Sequence, residues 1–171
     1  MKIINNRRSV RKFQSTPIEP EKIEKLLRAG MQAPSANNQQ PWEFIIVKDK
    51  ALKYQVSQTQ PYATMAKDAP LVMIVAGNED RLMSPENMQQ DLGACTENIL
   101  LEAVELGLGA TWLGVFPIEV RVKHLQSALE MPENILPYAI IIVGYPLSED
   151  ANHYTDRYDE SRVHTDTYKH Q

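Results

Sequence analysis

The sequence predicts a layered fold of the α/β or α+β class, in which helices cover a central sheet. Short apolar runs typical of strands alternate along the chain with segments whose apolar residues recur every three or four positions. The length of 171 residues corresponds to about one domain with a sizeable core. The hydrophobic fraction of 43% and the charged fraction of 23% are typical of a soluble globular protein. We therefore expect residues 1–171 to form a single domain.

The first half of the chain contains one predicted helix and two predicted strands. The helix covers Pro20 to Met31, because proline suits the first helical position and one apolar stripe follows. That stripe consists of Ile23, Leu26, Leu27 and Met31. Strands are predicted over Trp42 to Val47 and over Leu71 to Ala76, since both are continuous apolar runs. A charged turn at residues 48–50 follows the first strand, and a Gly-Asn pair ends the second.

A long helix is predicted to begin at Ser84, which suits the N-cap, with Pro85 as the first helical residue. Its apolar stripe consists of Met88, Leu92, Cys95, Ile99, Ala103 and Leu106. Leu101, Val104 and Leu108 add a second apolar flank, and Gly107 and Gly109 stop the helix. About 22 residues would span roughly 33 Å. A helix apolar over so much of its circumference is expected at the centre of a domain or in a dimer interface.

The second half of the chain adds two strands and a helix before its composition changes. Thr111 to Val115 is a predicted strand, and Pro117 to Leu129 is a predicted helix with the stripe Ile118, Val122, Leu125 and Leu129. Tyr138 to Tyr145 is apolar on both faces and is therefore expected at the centre of the sheet. Residues 148–171 are polar and cannot form a core, so this tail either lies on another surface or is disordered.

Charge and cysteine content exclude several classes of protein. The formal net charge of −4 weighs against a general nucleic-acid binder, which is normally basic. The single cysteine, Cys95, excludes a disulfide framework and a cysteine-rich zinc site, and its place on an apolar stripe predicts a packed thiol. The histidines form no metal-ligand spacing, so no metal is expected. No signal peptide or membrane-spanning run is visible, which predicts a cytoplasmic protein without a membrane partner.

A basic run near the amino terminus places four cations and a hydroxyl within six residues. It is either a solvated surface or an anion cradle, because arginine offers a planar fork to phosphate oxygens and serine adds a donor. In an extended segment Arg7, Ser9 and Arg11 share one face, with Arg8 and Val10 opposite. A nucleic-acid patch remains an alternative, although the acidic balance of the chain and the lack of interleaved aromatic residues weigh against it.

The loop from Ala33 to Trp42 is rich in amide side chains. Such residues favour turns, and they also supply the donors and acceptors that can recognise the edge of a heteroaromatic ring. Residues 107–112 begin like a dinucleotide fingerprint, but Trp112 replaces the third glycine and the order is helix to strand, so a Rossmann site is excluded. No nucleophile elbow, P-loop or zinc-protease motif occurs. If the chain is an enzyme, its reactive group is expected to come from a cofactor.

Four segments resemble the FMN-dependent nitroreductase family, in the family's order. They are RRSVRKF at residues 7–13, APSANNQQPWEFIIV at residues 33–47, DLGACTENILLEAVELGLGATWLG at residues 91–114 and RYDESRVH at residues 157–164. The segment from Pro34 to Trp42 carries the most specific match. The resemblance covers nearly the whole chain.

This resemblance implies an FMN site shared between two subunits. The residues that would contact FMN from one subunit are Arg7, Arg8, Ser9, Arg11, Leu113, Gly114, Val115 and Arg157. Those that would come from the other subunit are Pro34, Ser35, Ala36 and Asn38. Arg7, Ser9 and Arg157 would hold the phosphate, and Arg11 would stabilise charge at the flavin N1/O2 edge. Gly114 and its neighbours would present backbone to N5.

The resemblance also implies a fold and an activity. The fold would be an α+β, three-layer α-β-α sandwich forming an intertwined homodimer, with residues 148–171 wrapping the partner. The activity would be hydride transfer from NADH or NADPH through flavin N5 to nitroaromatic, quinone or similar small-molecule acceptors, by a ping-pong mechanism. The alternatives are a same-fold dehalogenase or flavin-fragmenting enzyme, and a non-catalytic FMN-binding protein. The acceptor, the choice of NADH or NADPH, the redox potential, and the role of Gln60 within residues 58–65 stay open.

Overall fold

A computed structural model describes residues 2–168, which are built around one four-stranded sheet. The strands are β1 (Trp42–Val47), β2 (Leu71–Asn78), β3 (Gly109–Gly114) and β4 (Ile135–Gly144). They lie in the order β1-β2-β4-β3, and every neighbouring pair is antiparallel. Antiparallel pairing assigns the fold to the α+β class.

Helices cover both faces of this sheet. The α-helices of the described residues are α1 (Lys2–Asn6), α2 (Pro20–Met31), α3 (Lys50–Ser57), α4 (Met88–Glu105) and α5 (Glu119–Ala128). On one face α2 and α4 share a core with Met73 and Val75 of β2. On the other face α3 and α5 share a core with Val72 and Ile74 of the same strand. The three-layer α-β-α sandwich is therefore confirmed.

The central position expected for β4 is confirmed, because this strand pairs with β2 on one side and β3 on the other. The buried stripe of the long helix is also confirmed from Met88 to Ala103. Its expected start was wrong. A single 3₁₀ turn at Pro85–Asn87 precedes α4, which has 18 residues, and the Ser84 side chain caps neither helix. Instead, Ser84 Oγ accepts a hydrogen bond from Asn37 Nδ2 at 2.7 Å.

Two further boundaries differ from the sequence predictions. The prediction of a charged turn at residues 48–50 was wrong at its last residue, because Lys50 begins α3, a helix that was not predicted. Asp49 Oδ1 accepts a hydrogen bond from the Leu52 N–H (2.9 Å) and thereby caps this helix. The 3₁₀ helix Pro61–Asp68 that follows α3 was not predicted either. The Gly-Asn pair does not end β2, since Gly77 pairs with Trp42 and Asn78 with Ile135.

The N-terminal segment, residues 9–14, crosses the ends of β3 and β4. The Val10 N–H donates to the Ala110 carbonyl (2.9 Å), and Phe13 forms a bridge with Pro146. A Cβ added at Gly109 would lie 2.7 Å from Val10 Cβ, and one added at Gly144 would lie 2.9 Å from Phe13 Cδ1. Because these glycines are directly paired across the two strands, they form a flat surface on which the segment rests. Gly109 therefore makes room for the segment.

The end of α4 is set by Gly107, whose φ of +72° is a conformation that glycine adopts without strain. The expected stop at Gly107 is therefore confirmed. The expected second stop at Gly109 was wrong, because Gly109 already lies within β3. Strand β3 therefore begins two residues before the predicted Thr111.

The tail from residue 148 to residue 168 forms only two single-turn 3₁₀ helices, Glu149–Ala151 and Glu160–Arg162. Its large side chains are exposed, namely Tyr154, Tyr158, Val163 and Tyr168. The expectation that it forms no core is confirmed for these residues, whereas residues 169–171 lie outside the described residues. Across residues 2–168, no helix combines the length and the apolar character needed to cross a membrane.

One buried hydroxyl gives a stability prediction. Thr111 is 1% exposed, and its Oγ1 has no hydrogen-bond partner within the described part of the chain. Thr111→Val keeps the shape and removes the hydroxyl, so we expect it to raise the free energy of unfolding by about 1 kcal/mol. Urea denaturation measures this change. Thr96→Val is the matched control, because Thr96 Oγ1 donates to the Leu92 carbonyl at 2.7 Å and no gain is expected. A loss of stability in Thr111→Val would contradict the prediction.

Candidate functional site

Three arginines converge on a cavity of about 330 Å³ beside the amino-terminal helix. This arginine cavity is lined by Ile4, Asn5, Arg7, Arg8, Tyr154, Thr155, Asp156, Arg157 and Tyr158. Asp156 is the one acid in that lining, so the wall carries an excess of positive charge. Arg7 and Arg8 of the basic run thus meet Arg157 of the tail, which lies about 150 positions further along the sequence.

Arg8 is the least compensated of these cations. Its Nη1 donates to the Arg7 carbonyl oxygen (2.5 Å), but its Nε and Nη2 are buried and form no hydrogen bond with any residue from 2 to 168. Burial lowers the pKa of Arg8 below its usual value, and repulsion from Arg157 and then Arg7 adds to the shift. Buried donors without acceptors are rare and costly. The cavity is therefore suited to an anion with several acceptor oxygens.

A second cavity of about 460 Å³ adjoins the first through Arg7. This strand cavity is lined by Arg7, Ser9, Glu97, Leu100, Trp112 and Gly114. Arg7 Nε lies 3.2 Å from Glu97 Oε1. Burial raises the pKa of Glu97, and the charge of Arg7 partly opposes that rise. Sequence reasoning missed Glu97, although an acid at helical spacing from Leu101 and Val104 on an apolar flank was the available signal.

The backbone of Gly114 is open at the rim of the strand cavity. Gly114 is exposed, and an added Cβ there would meet nothing within 4 Å. Its carbonyl oxygen accepts from Gln60 Nε2 (3.2 Å) and from Arg121 Nη1 (2.9 Å). The neighbours Leu113 and Val115 bury their side chains in the core. Gln60 therefore orients the Gly114 peptide, and Arg121 is a contributor that the sequence did not reveal.

The alternation expected for the N-terminal segment is observed in part, since Arg8, which was expected opposite Arg7, lines the arginine cavity together with it. Arg7 and Ser9 line the strand cavity together, while Val10 is buried against Gly109 on the other side. Arg11 is exposed and lines neither cavity, and its Nη1 donates to the Ser9 carbonyl oxygen at 3.2 Å. This hydrogen bond holds Arg11 beside the strand cavity.

The loop with residues 34–38 lies apart from both cavities of the same chain, since none of its residues lines either one. Pro34 and Asn38 are exposed, and Ser35 and Ala36 are half-buried. The Ala36 N–H donates to Asp91 Oδ1 (2.9 Å), which fixes the loop to the first turn of α4. One chain thus brings together the basic residues and Gly114, but not the amide-rich loop.

The described residues include no group of three or more His, Cys, Asp or Glu side chains placed to hold a metal ion. The single thiol lies away from the cavities, in the core between the sheet and α2.

Cys95 is fully buried, and burial raises the pKa of its thiol to about 12. Because the thiolate is the reactive form, we expect a thiol-specific disulfide reagent to leave the folded protein unmodified. The same reagent is expected to modify one thiol per chain in urea. Absorbance of the released chromophore measures both reactions. Stoichiometric modification of the folded protein within minutes would contradict the assignment of a packed thiol.

Comparison with known proteins identifies the family. The family model described as the nitroreductase family matches residues 4–60 and 57–145. An Archaeoglobus fulgidus protein to which NADH dehydrogenase/NAD(P)H nitroreductase activity is ascribed is 40% identical over 170 residues, which are 98% of each chain. The structure of a Clostridium acetobutylicum protein to which NADH oxidase activity is ascribed is 49% identical, with a TM-score of 0.93 over 97% of this chain and 99% of its own.

A second structure, of a Desulfovibrio desulfuricans protein assigned as a nitroreductase, is in complex with FMN. It is 26% identical, with a TM-score of 0.85, and the match covers 98% of this chain and 96% of that one. The family model spans most of the chain, and the relatives match this chain over nearly their whole length. The chain therefore belongs to the nitroreductase family.

Proposed function

We propose that the chain is an NAD(P)H-dependent FMN oxidoreductase that reduces nitroaromatic, quinone or similar acceptors by a ping-pong mechanism. The observation that carries the proposal is the buried edge of Arg8, which has no hydrogen-bond partner within residues 2–168 and lies beside Arg7 and Arg157. Arg7 also lines the strand cavity, where the backbone of Gly114 is open. A cytoplasmic setting, in which NAD(P)H is regenerated, is part of the proposal.

The residues present fit FMN. Its phosphate is an anion with several acceptor oxygens, which matches the Arg8 donors that have no partner in the described part of the chain. Arg7, Arg8 and Arg157 would hold the phosphate together with Ser9, which lies beside Arg7 in the adjoining strand cavity. The strand cavity combines apolar wall from Leu100 and Trp112 with backbone at Gly114, as a flat heteroaromatic ring requires.

The cofactor supplies the redox chemistry, since bound FMN accepts a hydride equivalent from NAD(P)H and delivers electrons to the acceptor. The residues of the chain itself would orient the peptide beside the flavin ring and stabilise charge on that ring. Gln60 and Arg121 hold the Gly114 carbonyl, so the peptide at the cavity rim keeps one orientation. Arg11 is a permanent cation held beside Ser9, where it would stabilise negative charge on a reduced ring.

The purified protein tests this function directly. We expect flavin absorbance near 450 nm, a typical position for oxidised flavins, and NAD(P)H oxidation that depends on menadione or a nitroaromatic compound. Double-reciprocal plots at several fixed acceptor concentrations are expected to give parallel lines. Bound flavin without NAD(P)H oxidation would favour a non-catalytic FMN-binding protein. A colourless protein that binds no added FMN would overturn the proposal.

We also propose that the active form is a homodimer in which the loop with residues 34–38 completes the partner's FMN site. In support, this loop lies apart from its own chain's cavities, and its Pro34 and Asn38 are exposed. The exposed side chains of the tail, residues 148–168, are also suited to burial against a second chain. Sedimentation is expected to show a dimer at low micromolar concentration, and an FMN-loaded monomer would contradict the shared site.

A further inference from the structure

The backbone of the amide-rich loop is unusual. Asn37, Asn38 and Gln40 have φ values of 50°, 52° and 44°, which place three residues other than glycine in the left-handed region. L-residues adopt this region reluctantly, so such a loop persists only where its surroundings hold it. The residue that interrupts the left-handed run, Gln39, is the one whose side chain points inward and is buried (6% exposed).

The Gln39 side chain uses both of its polar ends. Its Nε2 donates to Asp91 Oδ2 (2.6 Å) and approaches the Ser84 carbonyl oxygen (3.3 Å). Its Oε1 accepts from the backbone N–H groups of Met83 and Ser84, each at 2.9 Å. A single amide therefore joins the loop to the turn before α4 and to the first turn of α4 itself.

Asp91 completes the network from the opposite side. It is 4% exposed, and its second oxygen, Oδ1, accepts from the Ala36 N–H at 2.9 Å. No lysine or arginine within residues 2–168 forms an ion pair with it. Its charge is balanced by these donors and by its place in the first turn of α4, where the helix dipole favours an acid. Both carboxylate oxygens are thus committed to the loop.

The outward side of the loop contributes little to the core of its own chain. Pro34, Asn37 and Asn38 are exposed, whereas the network beneath them is buried. A buried polar network that fixes a strained, outward-facing loop serves the placement of that loop more than the burial of apolar surface. Two of the outward residues, Pro34 and Asn38, are among those that the proposed function assigns to FMN in the partner's site.

We propose that the Gln39–Asp91 pair is a positioning pair that sets the flavin-facing surface of residues 34–38. Neither side chain touches the flavin, and both act through the backbone at Ala36 and the left-handed residues beside it. This inference rests on the proposed function, because it assumes that the loop contacts bound FMN. The proposal adds Gln39 and Asp91 to the functional site, although neither residue lines the arginine cavity or the strand cavity.

Exchanging the polarity of the pair tests this role. Asp91→Asn places an amide N–H₂ against either Gln39 Nε2 or the Ala36 N–H, so one hydrogen bond is lost in each orientation. Gln39→Glu places two carboxylates against each other. In the double variant Q39E/D91N the carboxylate and amide change places. Glu at 39 then accepts from Asn at 91 and from the N–H groups of Met83 and Ser84, and Asn Oδ1 accepts from Ala36.

We expect each single variant to raise the Kd for FMN by about tenfold or more. The visible circular dichroism and the midpoint potential of the bound flavin are also expected to change. The double variant is expected to recover the Kd to within about threefold of the wild type, together with the wild-type spectrum. Gln89→Glu is the matched control, because it introduces the same change at an exposed position in the first turn of α4 and leaves all three readouts unchanged. Thermal unfolding shows which variants are folded.

If the single exchanges do not fold, Asp91→Glu replaces them, because it keeps the charge and only displaces the carboxylate by one methylene. A folded Asp91→Glu is expected to show a raised Kd and an altered flavin spectrum. Wild-type flavin binding and spectrum in the folded single variants, or no recovery in Q39E/D91N, would overturn the positioning role while wild-type FMN binding and activity stand. Failure of the wild type to bind FMN would overturn the proposed function, and this inference with it.

Discussion

Arg8→Met is expected to raise the Kd for FMN by roughly tenfold to a hundredfold, because a charge-assisted hydrogen bond to a phosphate is lost. The unfolding midpoint of the FMN-free protein is expected to stay the same or to rise. Arg8 has two buried donors that find no partner within residues 2–168, and it is repelled by two neighbouring arginines, so it is disfavoured when no anion is bound. Methionine replaces the unbranched aliphatic part of the arginine side chain and removes the charged guanidinium group. Fluorescence titration and thermal unfolding measure the two effects.

Riboflavin separates the phosphate contact from other effects of this substitution, because it lacks the phosphate and should bind Arg8→Met and the wild type alike. Arg28→Met is the matched control, since Arg28 is exposed and, among the residues that the structure describes, forms its ion pair with Glu24 one helical turn away on α2. An equal loss of affinity for FMN and riboflavin would contradict a phosphate contact at Arg8. A large loss of stability in the FMN-free protein would contradict the repulsion argument.

Gly109→Ala is expected to lower the free energy of unfolding by about 1–3 kcal/mol, in the range of overpacked sites. The added methyl group would lie 2.7 Å from Val10 Cβ and Cγ2 and 2.8 Å from Cγ1. Rotation of the Val10 side chain about χ1 does not move the Val10 Cβ, so it cannot relieve the contact between this atom and the added methyl group. The N-terminal segment must therefore move away from β3. Because that segment carries Ser9 and Arg11 and follows Arg7, we expect FMN and riboflavin binding to weaken together.

Urea denaturation and fluorescence titration measure the two consequences of Gly109→Ala. Gly114→Ala is the matched control for stability, because its added methyl group would meet no atom within 4 Å. Wild-type stability and wild-type flavin affinity in Gly109→Ala would show that the segment does not depend on this close approach.

The sequence predicted those parts of the fold in which periodicity and burial coincide. The helix over Pro20–Met31 and the strand over Trp42–Val47 have the predicted bounds, because one shows a clear apolar stripe and the other a continuous apolar run. Helix α3 was not predicted, because it is only eight residues long and its start depends on the Asp49 side-chain cap. The predicted start of α4 was wrong because the Ser84 side chain accepts a hydrogen bond from Asn37 and does not cap the helix. This contact joins segments that are distant in sequence.

The site shows the same division between local and long-range information. Local spacing placed Arg7 and Ser9 on one face, and the structure brings them to one cavity. The meeting of Arg7 and Arg8 with Arg157 was expected from the family resemblance alone, since nothing in the spacing of the chain predicts it. Glu97 and Arg121 were missed because their partners, Arg7 and the Gly114 carbonyl, become neighbours only when the layers pack. Contacts of that kind require the three-dimensional arrangement.

The docking of the N-terminal segment has a consequence for the order of events during synthesis. The partners of residues 9–14 lie at Gly109, Ala110 and residues 144–147, so the segment has no place to dock until most of the chain has left the ribosome. The last arginine of the cavity, Arg157, emerges later still. A nascent chain therefore carries its basic run undocked for most of translation, and a chain interrupted before residue 157 lacks one wall of the arginine cavity. In the proposed function, FMN would therefore find a complete arginine cavity only after nearly the whole chain has been synthesised.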